Sequence, residues 1–253
     1  MNYKKINNGA YNIHFIKTDR FKTISIRINF KRKIKENEIT KRNLLTRVLL
    51  ESNEIYKTSR LIEIETENLY GLMLRSSATI SGNYSVMSFE SSFLNEEFTN
   101  ENQIEKSLDF ILGFIFNPDI EKNSFNEKNF NLCKESLKTE IECLKENTGR
   151  YGMYKMLEAM DPNEPYAISA DGNLEELEKI TKENLYEYYK QIIKSDLIDI
   201  FIIGDFNEPK VKNIINKKFK INTLKRPTKS HYVTHKKIRL KPITKTEQMK
   251  IEQ

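Results

Sequence analysis

Very few side chains in this 253-residue chain have the types and the spacing that catalytic chemistry requires. Of its three histidines, only His231 and His235 stand four residues apart, the spacing that places two metal ligands on one face of a helix. Two β-branched residues and two lysines surround them and no acidic residue is near, so we expect an extended tail there rather than a metal site. His14 falls in an alternating pattern and is predicted to lie on a sheet face rather than to act as a catalyst.

Nucleophilic and phosphate-binding chemistry have little support in the sequence. Cys133 and Cys143 are ten residues apart on one predicted helix, too far along its axis for a disulfide, so we expect ordinary buried thiols. Gly204-Asp205 lacks the further glycines of a phosphate loop, and no Gly-x-Ser-x-Gly elbow or activated-cysteine signature occurs. Ser/His/Asp and Cys/His arrangements stay open, because their members meet in space rather than in sequence.

The net charge of +6 is concentrated at one end of the chain. Residues 223–253 hold nine of the 42 basic residues and two of the 36 acidic ones, so they carry +7 and residues 1–222 carry −1. We expect residues 1–222 to form one domain and residues 223–253 to be a basic linker. Only Tyr232 is aromatic there, which is typical of a solvated linker rather than of a base-stacking surface, so nucleic acid is not the expected partner.

The apolar residues are too scattered for a membrane protein. The best runs, residues 108–116 and 197–204, are far shorter than the roughly 20 residues that a membrane-spanning helix needs. Residues 1–10 are polar and have no apolar stretch behind them of the kind a secretory signal contains. We therefore predict a cytoplasmic protein.

Hydrophobic patterning predicts strands in pairs and helices in runs. Alternating or continuous apolar residues predict strands over 11–17, 23–30, 72–80, 84–93 and 197–203. Apolar residues three and four apart predict a helix from about 37 or 40 to 52, then helices over 58–70, 102–116, 125–145, 154–160, 173–179, 182–193 and 209–219. This order favours an α+β fold, a layer sandwich of one mostly antiparallel sheet covered by helices.

Two of these helices carry specific expectations. Asn37 or Thr40 can cap the first one, because a short polar side chain can accept hydrogen bonds from the free N–H groups of the first turn. The second one is expected to bury four apolar residues, which are Leu61, Ile62, Ile64 and Leu69.

An ordered series of short motifs is distinctive. It consists of Asn163-Glu164-Pro165-Tyr166-Ala167, Gly172, Lys179-Ile180-Thr181, Leu185 with Tyr188-Tyr189, and Phe201-Ile202-Ile203-Gly204-Asp205. In this order the series resembles the pitrilysin/insulinase-type zinc metallopeptidase family. Leu69-Tyr70-Gly71 ahead of two strands, and the long helix with Glu135 and Glu140, are similar to that family as well, so the resemblance spans about residues 10–210. It implies two sheet-and-helix repeats, of which this chain holds one; residues 246–253 resemble the start of the second.

The resemblance also implies a zinc motif, His-x-x-Glu-His, that this chain does not carry. In the family the two histidines bind the metal, the glutamate is the general base for the metal-bound water, and a glutamate from a later helix completes the site. The matching helix reads Asn43-Leu44-Leu45-Thr46-Arg47, so both histidines and the base are replaced. Glu140, with Glu135 as the alternative, matches the last ligand; otherwise Glu140 belongs to a solvated or ion-paired helix face. We expect no metal, no cofactor and no catalytic residue.

These expectations describe a catalytically degenerate peptidase homologue. Proteins that resemble this family are often paired, an active subunit with an inactive one. We therefore expect the chain to be the structural partner of a zinc-bearing homologous peptidase subunit, holding an unfolded peptide by β-augmentation. Two alternatives stay open: a truncated remnant without independent activity, marked by an exposed apolar patch, and an acidic-partner or nucleic-acid binder acting through residues 223–253.

Overall fold

A computed structural model describes residues 2–99, 102–162, 164–219, 244 and 246 of the chain. Apart from Thr244 and Thr246, the predicted linker lies outside the described residues, with both of its histidines and the start of a second repeat; so does Asn163. Within the described part a six-stranded sheet packs one face against helices. No helix in that part is long and apolar enough to cross a membrane.

The sheet is mostly antiparallel, as the sequence predicts. Its strands are β1 (Asn2–Asn7), β2 (Tyr11–Lys17), β3 (Thr23–Lys33), β4 (Met73–Ser81), β5 (Tyr84–Leu94) and β8 (Leu197–Gly204); β6 (Ile120–Glu121) and β7 (Ser124–Phe125) form a separate small hairpin. The order across the sheet is β1-β2-β8-β3-β5-β4, and β2 and β8 are its one parallel pair. Strand β1 and the small hairpin were not predicted. The strand order makes β1 and β4 the two edges of the sheet.

The prediction that the first two predicted strands pair with each other is wrong. Strands β4 and β5 form the expected hairpin, but β2 and β3 are separated by β8, which pairs parallel with β2 and antiparallel with β3. Alternate residues of β8, among them Ile198, Ile200 and Ile202, are buried in the core. A strand this apolar is stabilised more in the centre of the sheet than at its edge, which explains why it enters between the two.

The helices cover the face of the sheet on which the apolar residues lie. They are α1 (Glu36–Glu51), α2 (Ser59–Asn68), α3 (Gln103–Phe116), α4 (Glu127–Glu142), α5 (Thr148–Met160), α6 (Leu174–Glu178), α7 (Lys182–Ser195) and α8 (Glu208–Lys218). On β3 the even-numbered residues from Ile24 to Phe30 are buried in this core, because successive side chains of a strand point to opposite faces. The odd-numbered residues lie on the other face, which none of the described helices covers and which we call the uncovered face.

Helix α1 begins earlier than its predicted caps. It starts at Glu36, after Lys35, which makes no side-chain capping hydrogen bond. Thr40 is buried within the helix, where its hydroxyl oxygen accepts a hydrogen bond from the backbone N–H of Asn173 at 3.1 Å. The prediction of Asn37 or Thr40 as a cap is therefore wrong, and in the case of Thr40 a tertiary contact takes the hydroxyl that capping would have used.

Helix α2 exposes half of the apolar residues that it was expected to bury. Leu61 and Ile64 are 43% and 45% exposed, whereas Ile62 packs against the core and Leu69 is buried. The amphipathic pattern is present, but the described residues cover only part of its apolar face. Periodicity identifies an apolar face without identifying what covers it.

Two further expectations on the helical layer are corrected. Cys133 is buried, but Cys143 lies in the 3-10 turn after α4 and is exposed, so only one of the two thiols is buried. Helix α5 begins at Thr148 rather than near residue 154, because the Asn147 side chain accepts from the N–H of Arg150 and caps an earlier turn.

Candidate functional site

The three replaced motif positions lie together in the middle of α1. Asn43 and Arg47 are one helical turn apart on the same face, and the neighbouring Leu44 and Leu45 are buried in the core. The leucines therefore fix the rotation of the helix and aim Asn43 and Arg47 toward α4 and the loop before α6. Asn43 and Thr46 are both buried.

The polar groups of Asn43 and Thr46 form hydrogen bonds with the backbone and with Arg47. The amide nitrogen of Asn43 donates to the carbonyl oxygen of Ala170 at 3.3 Å, and its amide oxygen accepts from Nε of Arg47 at 3.0 Å. The hydroxyl of Thr46 donates to the carbonyl oxygen of Asn43 at 2.7 Å. A neutral hydroxyl is also far less basic than a carboxylate, so Thr46 cannot replace the glutamate as a general base.

Glu140 of α4 lies between two guanidinium groups. One carboxylate oxygen accepts from Arg47, and the other accepts from Nη1 of Arg150 at 2.9 Å. Arg150, in the first turn of α5, also forms an ion pair with Asp171. The structure thus brings Asn43, Arg47 and Glu140 together, whereas Glu135 is exposed on another face of α4. The equivalence of Glu140 to a zinc ligand stays a prediction from the resemblance.

The loop before α6 packs against this cluster, where it contacts Asn43 and Arg150. Asp171 is buried, and Gly172 follows it with φ of +84°. A Cβ at this glycine would overlap the side chain of Thr40 and come within 2.8 Å of its Cα, so the loop approaches α1 closely enough to exclude a side chain. The glycine that belongs to the motif series is therefore required by this close contact.

The charges in the cluster compensate one another. Burial acts to raise the pKa of Glu140, but the hydrogen bonds and charges of Arg47 and Arg150 outweigh it and hold that pKa below its usual value. Burial acts to lower the pKa of Arg150, but hydrogen bonds with Tyr154 and Glu140 and the charge of Asp171 raise it. Glu140 is therefore an ionised partner of two cations at neutral pH.

This donor set does not fit a zinc ion. Arg47 presents a permanent positive charge where the resemblance requires a neutral nitrogen ligand, and Arg47 and Arg150 already occupy both oxygens of Glu140. The amide oxygen of Asn43, the remaining candidate donor, accepts from Arg47. Among the described residues no group of three or more His, Cys, Asp and Glu side chains could hold a metal. The guanidinium groups of Arg47 and Arg150 carry the positive charge of this site.

Two other candidates for chemistry have structural roles. Burial raises the pKa of the Cys133 thiol to about 12, the Glu51 charge adds to the effect, and a thiol that stays protonated at neutral pH is a poor nucleophile. His14 lies on the sheet, as predicted: Nδ1 contacts the Tyr3 hydroxyl at 2.8 Å, and its ring stacks on Phe201 with centroids 4.3 Å apart.

Edge strand β4 lies directly beside the motif helix. The hydroxyl of Ser76 donates to the carbonyl oxygen of Thr46 at 2.9 Å and joins the strand to the middle of α1. The outer side of β4 has no pairing strand in the part of the chain that the structure describes. A chain that paired with this edge would therefore run past the replaced motif.

Sequence reasoning missed two members of the cluster, Arg150 and Asp171. Both are ordinary charged residues. Arg150 contacts Glu140, and Asp171 contacts Arg150, only because of the tertiary packing of α5 and the loop before α6. One local signal existed for Asp171, since it directly precedes a glycine of the motif series. No local signal distinguishes Arg150 from the other basic residues.

Comparisons with known proteins agree with the fold and with an inactive peptidase-like domain. A sequence profile described as "Peptidase M16 inactive domain" matches residues 179–252. The probable inactive metalloprotease YmfF of Bacillus subtilis (strain 168) is 28% identical over 222 residues, which are 87% of this chain and 52% of YmfF. The chain therefore spans about half the length of this relative.

Solved structures share the fold. A conserved protein from Enterococcus faecalis V583 superposes with a TM-score of 0.81 at 23% identity, over 89% of this chain and 53% of that one. The peptidase M16 inactive domain from Pseudomonas fluorescens gives a TM-score of 0.68 at 15% identity, over 91% and 53% of the two chains. The chain is thus similar in sequence to a peptidase M16 inactive domain over residues 179–252 and to a probable inactive metalloprotease, and it shares the fold of these solved structures.

Proposed function

We propose that this chain is the non-catalytic, peptide-holding partner of a zinc-bearing homologous peptidase subunit. The observation that carries the proposal is the position of β4, a nine-residue edge strand fixed to the motif helix through Ser76 and Thr46. An extended, unfolded peptide binds along this edge by backbone hydrogen bonds, next to a site whose metal is replaced by a guanidinium. Cleavage is supplied by the other subunit.

The two edges of the sheet differ in a way that favours β4. Strand β1 carries adjacent lysines, Lys4 and Lys5, and lysine on an edge strand discourages pairing with another chain. Strand β4 is longer and has one charged residue, Arg75, and no proline. Peptide pairing is therefore expected at β4 and not at β1.

Hydrogen exchange tests the peptide-holding role directly. The full chain is incubated with reduced, carboxymethylated α-lactalbumin as an unfolded probe, and amide exchange is compared in residues 73–81 and 2–7. We expect slower exchange in residues 73–81 alone, because an added strand protects outward-facing amides. Equal exchange with and without the probe in both segments contradicts peptide holding.

Co-purification tests the partner. The tagged protein is recovered from its own cells, its partners are identified by mass spectrometry, and zinc is quantified in each fraction. We expect a zinc-bearing homologue whose metal follows that subunit. Recovery of the chain alone contradicts the partner role and, if it aggregates through exposed side chains such as Leu61 and Ile64, favours the remnant.

A further inference from the structure

On the uncovered face of the sheet, three charges alternate in sign at the β4 end of one row, and the last of them is a cation at the sheet edge. One row of side chains crosses the strands in register from the β1 edge to the β4 edge: Lys5, His14, Phe201, Arg27, Glu90 and Arg75. Nη2 of Arg27 pairs with Oε1 of Glu90 at 2.7 Å. Arg75, the last member, is exposed and has no ion-pair partner among the described residues.

The neighbouring row ends in an apolar residue. Met73 lies two residues before Arg75 on the same face, is 50% exposed, and stands in register with Ser92. Both side chains border an open cavity of about 610 Å³ on the uncovered face, whose floor includes Phe201 and Ile203. The described residues therefore leave room beside Met73 and Arg75 for side chains from another chain.

The geometry of strand addition decides what those side chains should be. Directly opposite residues on neighbouring strands have Cβ atoms about 4.5–5.5 Å apart, and side chains on one face recur every second residue. A peptide on the β4 edge thus places one side chain beside Arg75 and another, two residues away, beside Met73. An opposite charge next to Arg75 continues the alternation in its row, and a like charge is repelled.

We propose that the β4 edge selects extended peptides that carry an Asp or Glu opposite Arg75 and a large apolar residue two positions away, opposite Met73. This inference rests on the proposed peptide-holding function and adds the chemistry of the peptide to it. It depends on side chains of the uncovered face, whereas the holding itself depends on the backbone of β4.

The test uses three acetylated and amidated nine-residue peptides with the central sequence Leu-Thr-X-Thr-Leu, in which X is Glu, Gln or Lys. Their affinities for the full chain are measured by isothermal titration calorimetry at low salt. We expect Glu to bind about two- to five-fold more tightly than Gln, and Lys more weakly than Gln, which is the range of a single cross-strand pair. In the Arg75→Glu variant the order of Glu and Lys reverses.

A matched control uses the other end of the same row. Lys5→Glu makes the same change in net charge on the same face but at the β1 edge, and it leaves the order of the peptides unchanged. Equal binding of all three peptides, or a reversal in Lys5→Glu as well, overturns the selectivity and leaves peptide holding in place. No binding of any peptide overturns the holding function itself.

Discussion

Two arginines on one helix, Arg42 and Arg47, show how position decides what a charge does in this molecule. Arg42 is fully buried: its guanidinium donates to Asp196 at 2.8 Å and to the carbonyl oxygen of Phe30 at 2.7 Å. The Arg47 side chain is 29% exposed and is shared between Asn43 and Glu140. The first ties α1 to the sheet inside the core, and the second joins α1 to α4 in a partly exposed cluster.

The largest expected loss of stability comes from replacing the buried arginine, Arg42. Arg42→Met removes one of the two cations that pair with Asp196, the other being Arg32, and leaves the Phe30 carbonyl without its donor. We expect a cost of about 3 kcal/mol of stability, the lower end of the range for breaking a buried ion pair, because Arg32 still compensates the carboxylate. Arg47→Met, in contrast, should cost about 1 kcal/mol or less, as for other partly exposed pairs. Urea unfolding of both variants measures the difference. Similar losses in the two variants contradict the distinction.

The next effect tests the loop that closes the site. Gly172→Ala introduces a Cβ into the contact with Thr40 at a positive φ, so we expect about 2–4 kcal/mol of destabilisation from overpacking and backbone strain together. Gly82→Ala is the control, because φ is also positive there but no atom lies within 4 Å. The control should lose only about 1 kcal/mol in thermal or urea unfolding. Equal losses exclude the close contact as the cause.

A smaller effect depends on pH. The folded pKa of Glu140 lies below its unfolded value, so its ionised form adds stability above the unfolded pKa of about 4.3 and loses it as pH falls through the folded pKa. Glu140→Gln should therefore be less stable than the wild type near pH 7, by about 1 kcal/mol or less, and equal to it at lower pH. Glu135→Gln, on the exposed face of α4, should show no such convergence. Urea unfolding at several pH values measures both.

The smallest effect concerns the exposed face of α2. Ile64→Ser should change stability by no more than about 0.5 kcal/mol, because this side chain is already in contact with water. Leu44→Ala, on the buried side of α1, should cost about 2–5 kcal/mol by the loss of packing. A large loss in Ile64→Ser would show that the face is covered after all.

Most of the helices and strands could be predicted from the sequence, but the contacts between them could not. The strand over 11–17, the β4–β5 hairpin and the helices after residue 102, apart from the first part of α5, follow from local periodicity and capping, which act within a few residues. The insertion of β8 between β2 and β3, the exposure of Leu61 and Ile64, and the pairing of Glu140 with Arg150 depend on contacts far apart in the sequence. The replaced positions Asn43, Thr46 and Arg47 were visible only through the resemblance to a family.

The central claim is that a guanidinium stands where the resemblance to zinc metallopeptidases places a metal, and a zinc titration tests it most directly. Competition with a chromogenic chelator is applied to the wild-type chain and to the triple variant Asn43→His/Thr46→Glu/Arg47→His, with Glu140 unchanged. We expect no stoichiometric zinc in the wild type and one equivalent in the triple variant, lost again when Glu140→Gln is added. One equivalent of zinc bound by the wild type, and lost in Glu140→Gln, contradicts the claim.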